Sequence, residues 1–532
     1  MHVYFCANTG AFMANLRIAR GGDGSVLFGI DALPWAFSIL AALLFIANTR
    51  HGIGILPDTT RYMQIVSTPY DAPLYPWILS TGHLVGIKLE YVALAVGFVL
   101  CIANTLLVFH LFRYALPDRP LLATIGTLLI VINPTFLWIN TIAMSEPLFL
   151  ALMLFSVTYF LTYMRKRDRG SLALASLSLG LAMLARFVAP PIGASFAVIM
   201  LFYNRQRTLA ERIFDATTLF VVSAGIFLLW AVGSKLIVGR AVGRELWFYG
   251  NADSERWLNG LSILSSFLLP TQIPQIARLA LLLIAIGAAI FALARAASRS
   301  WGQPQPSRQD IVILFFGFFN VFYAALIVLS VLIEANLQLN SRYALPFYIG
   351  LVFVLVVAAA RFSDHSNHAK IRRGVVVTGL ALFLAINVLR SMVQTAEAFD
   401  QGVGFQSHSW RTSPTIEAVR ALPADAMIFS NGCDALNFLT KRAAQWTPSH
   451  SARRTGMESD EGSFEEQLQR FRQSLLERNA YVVFFDAIDW RFYRASEPEL
   501  VERANLRLIR TEADGRIYQA DATALGKQQR SN

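Results

Sequence analysis

The chain has 532 residues, of which 55% are hydrophobic and only 15% charged. Soluble domains carry a charged fraction of roughly 25%, so an ordinary water-soluble globular protein is excluded. The formal net charge of +11 follows loop position, with the excess in the apolar part of the chain. It is therefore an orientation signal of a membrane protein and not a nucleic-acid footprint. Cys6, Cys101 and Cys433 lie far apart, with no metal-ligand spacing and no evident disulfide.

Taken in chain order, apolar runs predict spans near 31–49, 91–112, 121–139, 147–163, 171–186, 188–203, 213–237, 276–295, 311–333, 344–361 and 374–394. Each is of the order needed to cross about 30 Å of hydrocarbon. The stretch 171–203 is divided in two because Pro190 and Pro191 break a continuous helix. The first run follows Arg17 and Arg20 without a small-residue cleavage pattern, and reads as a retained anchor. This gives a polytopic α-helical membrane protein of about eleven spans. The connections "RYALPDR", "MRKRDRG", "NRQRTLAER", "RAASRSWGQPQPSR" and "RFSDHSNHAKIRR" carry more Lys and Arg than the alternate set. The positive-inside rule then puts the N-terminus in the cytoplasm and the C-terminal region outside a cell (inner) membrane. Residues 1–395 form the membrane domain, with a first outer loop and an interfacial helix at 50–90. Residues 396–532 form a small extracytoplasmic α/β domain. There Ser413 and Pro414 start a helix, "AMIFS" and "YVVFF" read as strands, and "LRLIRTEADGRIYQA" reads as a hairpin around Asp514-Gly515.

The first outer loop, "PDTTRYMQIVSTPYDAPLYPWILS", crowds polar and aromatic side chains between two apolar runs. After Pro69, the residues Leu74, Trp77, Ile78, Thr81 and Val85 recur at helical spacing, as in a helix lying in the membrane interface. That platform holds Asp58, Arg61, Tyr62 and Asp71. Asp71, before Ala72-Pro73, also suits turn chemistry. Further along, Glu146 opens a span, where Ser145 would cap the helix and an acidic first turn suits the macrodipole. Arg342 stands at a helix N-terminus on the outer side, where both the dipole and the orientation rule oppose a cation. An anion is its natural partner: Glu334 in a structural salt bridge, or a phosphate held by two of its oxygens. Arg186 ends its helix, where a cation is favoured. Lys88 suits snorkelling as well as binding, and Tyr343 adjoins Arg342 in the same outer segment.

The segments "PDTTRY", "DAPLYPWILS", "SEPLF" and "SRYALP" together resemble the GT-C superfamily of polytopic glycosyltransferases. The resemblance is to the branch with protein O-mannosyltransferases, aminoarabinose lipid A transferases and Rgt-type enzymes, and it covers roughly residues 30–395. It implies inverting transfer of a sugar from a polyprenyl-phosphate donor to a glycan, lipid or protein. Asp58 would be the catalytic base, and Glu146 and Arg342 would serve acceptor or metal binding and the donor phosphate. Arg61, Tyr62, Asp71, Lys88, Arg186 and Tyr343 complete the expected substrate-binding set. Where many mannosyltransferases have an Asp-Glu pair, this chain has Asp58-Thr59. That argues against protein mannosylation and leaves a divalent metal open, with no other cofactor expected. The competing classes are a carrier for a lipid-linked saccharide, which expects ionisable residues near mid-membrane, and a non-catalytic membrane scaffold. Among span residues, Asp215 is the main candidate for the former.

Overall fold

The computed structural model describes residues 32–63, 72–239, 254–333, 337, 339–362, 369–452, 457–459, 461–477 and 479–521. Helix α1 (Leu33–Asn48) leads into α2 (Pro57–Tyr62), α3 (Leu74–Val85) and α4 (Leu89–Ala115). Then come α5 (Pro120–Val131), α6 (Pro134–Asn140), α7 (Glu146–Lys166), α8 (Arg169–Ala185), α9 (Pro190–Tyr203) and α10 (Leu209–Val238). After these, α11 (Ser254–Ser266), α12 (Gln275–Ser300), α13 (Arg308–Ile333), α14 (Ser341–Phe362) and α15 (Ala369–Gln401) complete the apolar part.

Seven of these helices are long and apolar enough to cross a membrane, or eight if α5 and α6, bent by 62°, act as one span. α1, α8 and α9 are apolar but shorter, with 16, 17 and 14 residues. Every predicted run is thus helical, but three lack the length for a full crossing by themselves. α11 lies in the connection between the predicted spans 213–237 and 276–295, and α15 runs past the apolar stretch to Gln401.

Local chemistry sets the boundaries. Proline occupies the first turn of α1, α2, α5, α6, α7 and α9, where its missing N–H costs no hydrogen bond. Asp168 accepts from the amides of Gly170 and Ser171 to start α8, and Thr208 with Glu211 forms a capping box on α10. Ala- and Ser-rich α8 packs against α7 and α10, as small side chains allow helices to approach closely in lipid. Its neighbour contributes a 2.7 Å bond from Ser156 to the Ala175 carbonyl. Helix α3 buries Tyr75, Leu79 and Gly82 and exposes Trp77, Leu84 and Val85, the division expected of an interfacial helix.

The C-terminal domain contains α16 (His408–Arg411), α17 (Pro414–Arg420), β1 (Met427–Ser430), α18 (Cys433–Thr440) and β2 (Gln445–Trp446). It continues through α19 (Phe464–Glu477), β3 (Ala480–Phe485), α20 (Glu497–Arg503), β4 (Leu506–Glu512) and β5 (Gly515–Ala520). The sheet order is β2-β1-β3-β5-β4, with β1 parallel to β2 and β3, and β5 antiparallel to β3 and β4. Alternating residues divide between its faces. Ile428, Val483 and Phe485 pack with α17 and α18, whereas Phe429, Val482 and Phe484 pack with α19 and α20. Ser413 caps α17 by accepting from the Ile416 amide at 3.1 Å, and β4–β5 is the expected hairpin.

This domain is tied to the end of the bundle that carries α2. Ala435 and Phe438 of α18 join the main apolar core with Phe405, and Lys441 lies 3.5 Å from Glu90. The segment before α2 is held on both sides. Gly54 donates to the Thr141 carbonyl at 3.0 Å and accepts from Ala143 at 2.9 Å, while Ile55 accepts from Phe405 at 2.8 Å. Gly404 has φ +62°, and a Cβ there would lie 2.1 Å from the Ile55 carbonyl oxygen. Gly404→Ala is therefore expected to cost at least about 1 kcal/mol from its left-handed backbone alone. Gly379→Ala, in open space on α15, is expected to be neutral or stabilising. Thermal unfolding of the purified protein checks this, and equal midpoints for the two variants would contradict it.

Candidate active site

Four helix ends converge at the α2 end of the bundle. Pro57 starts α2 and puts Asp58 in its first turn with Arg61 one turn on. Glu146 opens α7, Arg186 is the C-cap of α8, and Arg342 lies in the first turn of α14. Arg342 bridges the two carboxylates, Nη1 to Asp58 Oδ2 at 2.8 Å and Nε to Glu146 Oε1 at 2.5 Å. Arg61 Nη2 meets the other Asp58 oxygen at 2.9 Å. Arg186 Nη1 meets Glu146 Oε1 at 2.7 Å. Among the described residues, three guanidiniums thus face two carboxylates.

The pairing answers the electrostatic problem of Arg342. Its backbone amide donates to the Asn340 side chain at 3.0 Å, while the carboxylates offset the positive helix end. Glu146 and Arg186 each stand where their own helix dipole favours them. The Glu146 side chain is 5% exposed, against 22% for Asp58. Its Oε2 is buried without a hydrogen-bond partner, beside a cavity of about 10 Å³ also lined by Ile139, Arg186, Tyr323 and Arg342. That space admits about one water.

Ser145 does not cap α7. Its backbone is helical, φ −77° and ψ −13°, with no side-chain cap bond, whereas a capping residue takes extended dihedrals to reach the first amides. Its hydroxyl instead receives Arg186 Nη1 and meets the Tyr62 phenol, each at 3.4 Å. Tyr62 packs edge-on against Tyr75, centroids 5.6 Å apart. Burial, then the neighbouring Tyr62 and Glu146, push the Tyr75 phenol far above its ordinary pKa. Tyr323 donates to the Tyr343 carbonyl at 3.0 Å.

Of the expected residues, Asp58, Arg61, Tyr62, Glu146, Arg186 and Arg342 come together, with half-buried Tyr343 next to Arg342. Lys88 is exposed at the start of α4, with no bond to the cluster among the described residues. Asp71 and Glu334 lie outside the described residues. Ser145, Tyr75, Tyr323 and Asn340 were not singled out as site residues; the Ser-Glu pair reads equally as a cap, and the others carry no local signal. Among the described residues no three His, Cys, Asp or Glu side chains gather to hold a metal ion. The two nearby carboxylates are already shared among guanidiniums, and we derive no step through a metal.

At the opposite end of the bundle two buried acidic residues, Asp215 and Asp310, are paired. Asp215 meets Arg207 at 2.8 Å and accepts from the Tyr163 hydroxyl. Asp310 takes Arg299 at 2.6 Å on one oxygen and Arg361 at 2.9 Å on the other.

The family described as dolichyl-phosphate-mannose-protein mannosyltransferase matches residues 69–230. No curated protein sequence matches the chain. Among solved structures, ArnT from Cupriavidus metallidurans bound to undecaprenyl phosphate superposes with a TM-score of 0.54 at 12% identity, covering 92% of this chain and 98% of that one. The same protein in its apo state gives 0.53 at 13% identity, with 92% and 99% covered. This chain has the fold of the GT-C superfamily of membrane glycosyltransferases.

Proposed function

We propose that the protein is a membrane glycosyltransferase that moves a sugar, with inversion, from a polyprenyl-phosphate donor to a glycan, lipid or protein acceptor on the extracytoplasmic side. The observation that carries this reading is the Arg342 guanidinium set between Asp58 and Glu146, with Arg61 and Arg186 beside them. It joins a candidate base to a cluster of guanidiniums at one end of the bundle. The structure of ArnT was solved with undecaprenyl phosphate bound, which supports a donor of that chemical class here.

The chemistry follows from the charges. The donor's tail lies in lipid and its phosphate at the interface, where α3 forms a platform. Arg342, helped by Arg186 and Arg61, takes the phosphate oxygens, a guanidinium being suited to two at once. Both Asp58 oxygens are held by guanidiniums, so transfer requires Arg342 to turn from Asp58 to the phosphate. The acceptor hydroxyl then attacks the anomeric carbon from the face opposite the phosphate, and its proton passes to Asp58. The bond from the anomeric carbon to the phosphate oxygen breaks, and polyprenyl phosphate leaves with the electron pair. It leaves as a stable anion, which requires cationic stabilisation more than a proton donor.

A carrier for a lipid-linked saccharide expects ionisable groups lining a path near mid-membrane. Asp215 instead pairs with Arg207 and Tyr163 at the far end, which favours the transferase. Asp58→Asn, at matched expression, is expected to lower transfer by about 10²–10⁴-fold, the usual contribution of a general base. Lipid-linked intermediates should accumulate and surface glycans lose the added sugar. Full transfer by Asp58→Asn would remove it as the base. Reconstituted vesicles that moved the lipid-linked sugar across the bilayer without transferring it would establish the carrier.

A further inference from the structure

In the C-terminal domain the chain leaves β1 through α18 on one face of the sheet and leaves β2 through α19 on the other. The carboxyl ends of adjacent parallel strands whose connections diverge in this way enclose a crevice, the usual ligand position in such sheets. Here two arginines from the segment after β3 reach into it. Arg491 pairs with Asp434, in the first turn of α18, at 2.6 Å. Arg494 donates to the Thr447 carbonyl just after β2. Both guanidiniums lie against the Trp446 ring, 4.2 and 4.5 Å from its centroid.

The cluster is not electrically complete. Among the described residues Asp434 is the one carboxylate paired within the cluster, to Arg491, and Arg494 has no acidic partner. Burial lowers its pKa, the mark of a guanidinium held away from water without a counter-charge. Thr447 is 1% exposed and Arg491 8% exposed, and Thr447 Oγ1, Arg491 Nε and Arg494 Nε are all buried without hydrogen-bond partners. Gly432 supplies no side-chain cap to α18, and the Asp434 carboxylate takes the Ala435 amide at 3.1 Å instead. The orphan donors and the unbalanced cation call for the same species.

We propose that the crevice at the carboxyl ends of β1 and β2 is a binding site for a compact oxyanion, a phosphate group, held by Arg494, Arg491 and Thr447. It is separate from the Asp58–Arg342 cluster and goes beyond the function proposed above. The phosphate can be borne by a lipid headgroup or by a soluble or glycan-linked sugar.

Hydrogen exchange by mass spectrometry on the full-length protein in detergent tests this peptide by peptide. Inorganic phosphate, compared with chloride at equal ionic strength, is expected to slow exchange over residues 430–434 and 447–451. The effect should be on the order of tenfold at about ten times the dissociation constant. Arg494→Gln should abolish it. Thr447→Val, which removes an orphan hydroxyl at nearly constant shape, should keep the fold while weakening the protection. A soluble sugar phosphate and mixed micelles of phosphatidic acid distinguish the two sources, the effective one reproducing the protection. Protection confined to residues 141–146 and 340–343, protection unaltered in both variants, or none with any of the three probes would overturn the proposal.

Discussion

A cation at the wrong end of a helix organises this molecule. Arg342 sits in the first turn of α14, where the peptide dipoles repel positive charge, and is largely removed from water. It is kept there by Asp58, 284 residues away, and Glu146, 196 residues away. Removing one partner of a buried ion pair commonly costs about 3–5 kcal/mol, so the arginine fixes the relative positions of α2, α7 and α14. The far end shows what a purely structural cluster looks like. Both Asp310 oxygens are engaged, whereas Glu146 keeps an orphan oxygen and lines a small cavity.

The rest of the fold serves that placement. α2 is a helix of only six residues, too short to be stable alone. It is held by Thr59, which donates to the Ala143 carbonyl at 2.9 Å, and by backbone bonds to the segments around Thr141 and Phe405. The C-terminal domain is thereby connected to the helix that carries Asp58. Its α18 packs directly on α2, and its aromatic residues Phe405, Trp410 and Phe485 form a continuous contact. The domain is therefore joined to the segment that carries the candidate base through backbone as well as side chains.

Much of this was legible in the sequence, for identifiable reasons. Hydropathy reports which residues avoid water, so all the apolar runs proved helical. It does not report where a helix bends or stops short, so the break between α5 and α6 and the shortness of α8 and α9 needed coordinates. The misfit of Arg342 with its helix dipole pointed to an anion. Its identity was not local information, because Asp58 and Glu146 become neighbours only through packing. Ser145 shows the reverse failure: a serine before an acidic first turn reads as a cap, but helical dihedrals aim its hydroxyl at Arg186 and Tyr62 instead. The Arg491–Arg494 cluster carried no sequence signal, since it exists only where three strand ends meet.

The central claim is that Arg342 belongs to a lipid-phosphate site as well as to the architecture. Binding of undecaprenyl phosphate to purified protein, for the wild type, Arg342→Gln and Asp58→Asn, tests it most directly. The account predicts that Arg342→Gln loses at least about tenfold in affinity, as expected for removal of a charge-assisted hydrogen bond. Asp58→Asn, by releasing the guanidinium from a competing anion, should bind as tightly as the wild type or more so. Wild-type affinity in a folded Arg342→Gln protein would contradict the account.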